Sequence, residues 1–118
     1  MNFDDIAHVS LLYDFYGQLL TKRQREVMEL YHEENLSLSE IADEFSISRQ
    51  GVHDTLKNAE KALHKYEEKL GLVRKFQKSE QAIQKIDEII EELAAESNEE
   101  KVTGKLHDIR AIIDNLDQ

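Results

Sequence analysis

The 118-residue chain contains no cysteine, no proline and no tryptophan. Without cysteine, disulfides, thiol catalysis and thiolate metal sites are excluded together, and the composition suits a reducing compartment. Four glycines, at 17, 51, 71 and 104, are too few turn residues for a β-protein of this size. No apolar run approaches the roughly 20 residues of a membrane span, so no membrane insertion is expected. Asp4 and Asp5 stand where a secretory signal carries basic residues, and the expected location is cytoplasmic. Positive charge is also scarce: 15 Lys and Arg against 25 Asp and Glu give a net charge of −10. As a whole, so acidic a chain repels nucleic acid and anionic lipid. Its length fits one domain, or a small domain with an appendage, and does not suit a large buried catalytic cavity.

What is present is helical patterning. In 3–20, Ile6, Val9, Tyr13, Tyr16 and Leu20 recur every three or four residues, and Leu12 and Leu19 widen the stripe. Thr21 with Gln24 forms a capping box that opens a helix over about 22–34, burying Val27 and Leu30 with Tyr31 or Met28. Ser37 with Glu40 forms a second box, opening a short helix over 38–45. Ser48 is an N-cap for a long helix from Arg49, whose stripe is Val52, Leu56, Ala59, Leu63, Tyr66 and Leu70. Gly71 is its expected stop.

The remainder changes character. Leu72, Phe76, Ile83, Ile86, Ile90 and Leu93 follow a heptad rhythm, and after Ser97-Asn98 so do Val102, Leu106, Ile109, Ile113 and Leu116. Two readings stand open: a helical hairpin, or helices that pair with another chain to make a homodimer. The expected protein is all-α, with a helix-turn-helix domain over 1–71 and a helical extension over 72–118.

The helix-turn-helix expectation rests on 37–56. A small residue, Ala42, fits the tight elbow, while Ile41, Phe45, Ile47, Val52 and Leu56 clasp the two helices together. The second helix then presents Arg49, Gln50, His53, Asp54 and Lys57 near its start. Arg matches guanine and Gln matches adenine in the major groove. The base-edge candidates are Arg49, Gln50, His53 and Lys57. The phosphate candidates are Lys22, Arg23, Arg25, Lys61 and Lys65. The segment 48–65 carries net +2 while the rest of the chain carries −12. A protonated His53 would hold phosphate better below about pH 6.5.

No enzyme signature accompanies this pattern. There is no G-x-S-x-G elbow, no phosphate-binding glycine loop and no HExxH, and the histidines at 8, 32, 53, 64 and 107 form no i, i+4 pair. Adjacent carboxylates such as Glu67-Glu68 and Glu91-Glu92 point apart on a helix. No catalytic residue, metal site or cofactor is expected.

Residues 20–66 resemble region 4 of bacterial σ factors. The wider series is Leu12-Tyr13-Asp14-Phe15-Tyr16, Leu19-Leu20-Thr21, Ser37-Leu38-Ser39-Glu40-Ile41-Ala42-Asp43, Ser48-Arg49-Gln50 and Tyr66-Glu67-Glu68-Lys69-Leu70. Over about 1–76 it resembles the YlxM family of small helix-turn-helix proteins of Gram-positive bacteria. Gly51 departs from that pattern, which has a stronger helix former there; glycine weakens the first turn by about 1 kcal/mol. The resemblance implies a DNA-binding regulatory protein encoded beside the GTPases of the signal recognition particle pathway, and taking part in that pathway or regulating it. The implied partner is double-stranded DNA. Alternatively, the fold serves as a protein-interaction module that binds a signal recognition particle GTPase or the particle's RNA.

Overall fold

A computed structural model describes residues 3–116 apart from 97, without the side chains of 3–5. Ser97, expected in the polar turn, lies outside the described residues. Six α-helices follow one another, and no strand occurs among the described residues: α1 (Phe3–Tyr16), α2 (Lys22–His32), α3 (Leu38–Phe45), α4 (Arg49–Leu70), α5 (Leu72–Ala95) and α6 (Glu99–Asn115). A 3-10 turn, Gly17–Leu19, follows α1. The chain forms two compact units that divide between Val73 and Arg74.

The helix boundaries of the first unit follow its capping chemistry. Thr21 Oγ1 accepts the Gln24 N–H at 3.2 Å, and Gln24 Oε1 accepts the Thr21 N–H at 3.1 Å. The pair satisfies two of the unpaired donors at the start of α2. α2 ends at His32, two residues earlier than its sequence pattern suggests. Asn35 adopts a left-handed φ of 57°, and the Leu36 N–H returns to the Leu30 carbonyl at 3.0 Å. Asn tolerates that conformation better than most residues, so a polar turn becomes a stop. α4 stops as expected, with Gly71 at φ 63° and its N–H on the Glu67 carbonyl at 2.8 Å.

Helix α4 is the axis of this unit and contacts α1, α2 and α3. The core gathers Leu12 and Tyr16 from α1, Val27 and Met28 from α2, Ile41 from α3, and Val52, Ala59 and Leu63 from α4. Each large side chain removed from water in this way contributes about 1.5–3 kcal/mol. Three expected core positions lie outside it. Ile6, Leu19 and Leu70 are 44%, 53% and 54% exposed. Ile6 and Leu70 sit near an end of their helices and Leu19 in the 3-10 turn, where packing against the rest of the unit is incomplete.

In the second unit, α5 and α6 pair as an antiparallel hairpin. Lys105 Nζ meets Glu92 Oε2 at 2.8 Å, and Ala82 and Lys85 of α5 share a shallow cleft with Ile112 and Leu116 of α6. The half-buried row on α5 is Ser79, Ala82, Ile86, Ile89 and Leu93. On α6 it is Val102, Lys105, Ile109, Ile112 and Leu116. The expected heptad stripe therefore splits. Ile86 and Leu93 turn toward α6, but Phe76, Ile83 and Ile90 remain exposed, as do Leu106 and Ile113. One helix can cover only one row of its neighbour, so the second row is left to solvent.

Candidate nucleic-acid interface

The turn between α3 and α4 decides what α4 can offer. Ser37 Oγ and Glu40 Oε1 close the reciprocal box that opens α3, each accepting the other's backbone N–H at 3.1 Å. α3 ends on Ser46 in the left-handed region, φ 54°. The Ile47 N–H folds back onto the Ala42 carbonyl at 3.0 Å. Ser48 then starts α4, its Oγ accepting the Gly51 N–H at 2.9 Å. Ile41, Ala42, Val52 and Leu56 are buried at this elbow, and Phe45 and Ile47 are half-buried against them.

Gly51 has a local reason. A Cβ there would stand 3.2 Å from Ser48 Oγ, the atom that caps the helix, and 3.8 Å from Ile47 Cδ1. The glycine keeps the cap uncrowded and gives up about 1 kcal/mol of helix propensity. Sequence inspection registers only that loss.

Arg49, Gln50, His53, Lys57, Lys61 and Lys65 are all exposed on α4. Gln50 and the three lysines lie on the side away from the buried row of Val52, Leu56, Ala59 and Leu63, and His53 lies at its flank. Arg49, three residues before Val52, is exposed as the first residue of the helix. With 3.6 residues per turn, Lys57, Lys61 and Lys65 form one ridge, and Gln50 and Asp54 precede it along the helix. Among the described residues, none of Arg49, Lys57, Lys61 and Lys65 enters an ion pair. Their charge faces water. Asp54 organises the start of this face. Gln50 Nε2 donates to Asp54 Oδ1 at 2.9 Å, and His53 Nδ1 lies 3.6 Å from the same oxygen. Residue-by-residue reading of the sequence misses the Gln50–Asp54 bond, although its i, i+4 spacing is a signal for it.

The basic group of α2 is not a cluster. Lys22 Nζ lies 3.9 Å from Glu26 Oε1. The Arg23 guanidinium sits over the Phe45 ring, 4.5 Å from its centroid, a cation–π contact that ties α2 to α3. Arg25 is half-buried, its Nε out of solvent and without a hydrogen-bond partner. Arg25 is also close enough to Tyr13 to oppose the upward push on its phenol. Arg23 points away from the other two because residues one and two apart do not share a helix face. Lys22 and Arg25, three apart, share one, but Lys22 turns to Glu26 and Arg25 is half-buried. Arg25 is thus not brought to an exposed surface shared with the other two. Beside α4, the outward side of α3 carries exposed Glu40, Asp43 and Glu44.

Comparison with known proteins bears on what this elbow is. A family profile, UPF0122, described as "Putative helix-turn-helix protein, YlxM / p13 like", matches residues 3–104. The chain belongs to this family. It is 55% identical over 87 residues to a UPF0122 protein of Caldanaerobacter subterraneus subsp. tengcongensis, covering 74% of each chain. It is 43% identical over 113 residues to one from Thermoanaerobacter sp. (strain X514), covering 96% of this chain and 97% of that one. A Bacillus cereus (strain AH187) member is 42% identical over 111 residues, 94% of this chain and 96% of its own. The family match runs past the 1–76 covered by the sequence motifs and takes in α5 and the start of α6. Among the described residues, no helix is long and apolar enough to cross a membrane.

Proposed function

We propose that the protein is a non-catalytic, cytoplasmic DNA-binding regulator that places the start of α4 in the major groove. Arg49, Gln50, His53 and Lys57 meet base edges, and Lys61, Lys65, Lys22 and Arg23 approach phosphates. The observation that carries this reading is the row of exposed basic side chains on α4 with no neighbouring carboxylate paired to them. Phosphate contacts of that kind supply most of the affinity and make it fall steeply with salt. The resemblance to the YlxM family supports protein targeting by the signal recognition particle as the process regulated.

Duplex selection from a random library at two salt concentrations tests the reading. An enriched sequence is expected, with binding lost in Arg49→Ala and Lys57→Ala. No enrichment, or binding indifferent to both substitutions, overturns it.

A second reading is favoured by the acidic side of α3. Glu40, Asp43 and Glu44 lie exposed on the helix that crosses the DNA backbone in this type of fold, where they repel phosphate. In this reading the elbow docks a basic protein surface instead, such as a signal recognition particle GTPase. Pull-down against the particle's GTPases and RNA tests it, and no retained component counts against it.

A further inference from the structure

We propose that the exposed apolar face of the α5–α6 hairpin binds the same face of a second copy of this chain, forming an antiparallel four-helix bundle about a twofold axis. Ile83 and Ile90 lie on α5 at 53% and 51% exposure, and Leu106 and Ile113 on α6 at 54% and 49%. Each pair is seven residues apart and so shares a helix face. On both helices this row lies three or four residues from the half-buried row, on the side reached by the same sense of rotation. In an antiparallel pair that rotation carries both rows to one side of the hairpin.

Two observations identify the occupant. The first is area. Among the described residues, none beyond Val73 is buried, so the hairpin has half a core and no more. Its face is about 25 Å long, the length of α6, and about two helix diameters wide. Pairing two such faces buries on the order of 1,000–1,500 Å², which reaches the lower part of the range of stable complexes. A twofold supplies the missing half with an identical, self-complementary surface.

The second is charge. Glu80 and Asp87 alternate with the apolar residues along the exposed row of α5, whereas Arg110 sits between Leu106 and Ile113 on α6. None of the three enters an ion pair among the described residues. Lys105 meets Glu92 and Ile112 lies beside Ala82, so position 110 is level with about 84–87. A twofold axis parallel to the helices lays α5 over α6 of the second copy and keeps those levels. It brings Asp87 opposite Arg110 of the second copy, and Ile83 opposite Ile113 of the second copy. The alternative twofold, across the helices, stacks α5 on α5 and sets acid against acid. The proposal does not depend on DNA binding.

Sedimentation equilibrium of the full chain tests it. The expected mass is twice 13.8 kDa. Ile83→Lys is expected to weaken the dimer at least tenfold at unchanged helicity, because that side chain faces solvent in the single chain. Asp87→Arg and Arg110→Asp each weaken it, and the two together restore it. Should a substitution also lower helicity, a mixture of Ile83→Cys and Ile113→Cys chains joined by a short bismaleimide decides. The crossed product is expected to dominate over like-with-like products, and the chain's lack of cysteine makes the reaction clean. A mass of 13.8 kDa at every concentration, a dimer indifferent to Ile83→Lys, no rescue by the double reversal, or like-with-like products in excess would each overturn the proposal. Failure of duplex binding moves none of these readouts.

Discussion

Tyr16 Oη donates a 2.6 Å hydrogen bond to Glu67 Oε1, 51 residues along the chain. The pair then completes a helix start that has no local cap. Tyr16 Oη accepts the Leu72 N–H at 3.0 Å, and Glu67 Oε1 accepts the Val73 N–H at 2.9 Å. The first donors of α5 are thus satisfied by side chains from α1 and α4, where a Ser or Asp would ordinarily serve. Burial and the bond to Glu67 together hold the Tyr16 phenol above its usual range.

Removing that hydroxyl takes one donor from a part-buried carboxylate, which keeps the Val73 N–H, and deprives the Leu72 N–H of the acceptor it has in the folded chain. Tyr16→Phe is therefore expected to destabilise the protein by about 1–3 kcal/mol, read by urea denaturation. An unchanged midpoint would show that water replaces the hydroxyl at no penalty. Hydrogen exchange at Leu72 and Val73 should quicken in the variant and remain slow elsewhere.

Tyr13 gives a pH prediction. Desolvation, and then its 2.7 Å bond to Glu29, push its phenol up from 10.0 to about 12. The folded state thus holds this proton more tightly than the unfolded chain does. Its contribution to stability is complete below pH 10 and is lost as the pH rises from 10 to about 12. Tyr13→Phe should flatten that part of the stability–pH curve and remove the phenolate absorbance that develops near pH 12. A tyrosine titration that ends near pH 10 in the parent chain would contradict this.

Ser48 and Gly51 are coupled through one oxygen. Gly51→Ala gains about 1 kcal/mol of helix propensity, but its Cβ crowds the capping hydroxyl at 3.2 Å. In the parent chain the substitution should bring little or no gain. In a Ser48→Ala background, where the cap is already lost at about 1 kcal/mol, it should stabilise by about 1 kcal/mol. A double-mutant cycle with zero coupling would refute the conflict.

Asp54 places one negative charge among the exposed bases of α4. Asp54→Asn keeps an acceptor for Gln50 and removes the charge. If DNA is the ligand, non-specific duplex affinity should rise about fivefold at low salt, the equivalent of about 1 kcal/mol, and the gain should vanish as salt screens it. Sequence discrimination should fall, since Gln50 loses the anionic partner that orients it. An affinity that drops instead would mean that Asp54 itself contacts the ligand.

Core and rim should separate cleanly on substitution to alanine. Ile41→Ala empties a fully buried site at the elbow and is expected to destabilise the protein by about 2–5 kcal/mol. Ile6→Ala, at a 44% exposed position on the same chain, should change stability by less than about 1 kcal/mol. Thermal unfolding of both variants measures the contrast.

Local chemistry accounts for most of what is legible in the sequence alone. Thr21, Ser37, Ser48 and Gly71 act on their own backbone neighbourhoods, so the helix starts and the end of α4 follow from the residues themselves. The elbow core of Ile41, Ala42, Val52 and Leu56 is legible for a similar reason, since its spacing fits one turn geometry. The exposure of Gln50 and the lysines of α4 follows from the same periodicity, and that of Arg49 from its place at the helix start.

Tertiary packing decided the rest. Periodicity marks which residues are apolar but not which rows find a neighbour, so Ile6, Leu19, Leu70 and half the tail stripe stay exposed. Charge counting groups Lys22, Arg23 and Arg25 together, but the helix turns Arg23 and Arg25 to different flanks, the first over Phe45 and the second toward Tyr13. The Tyr16–Glu67 cap on α5 spans the whole first unit and has no short-range signature. The scarcities of the composition determined an all-helical chain without thiol chemistry. Where its charges and apolar rows point depends on contacts between residues far apart in sequence, and those exist only once the helices have packed.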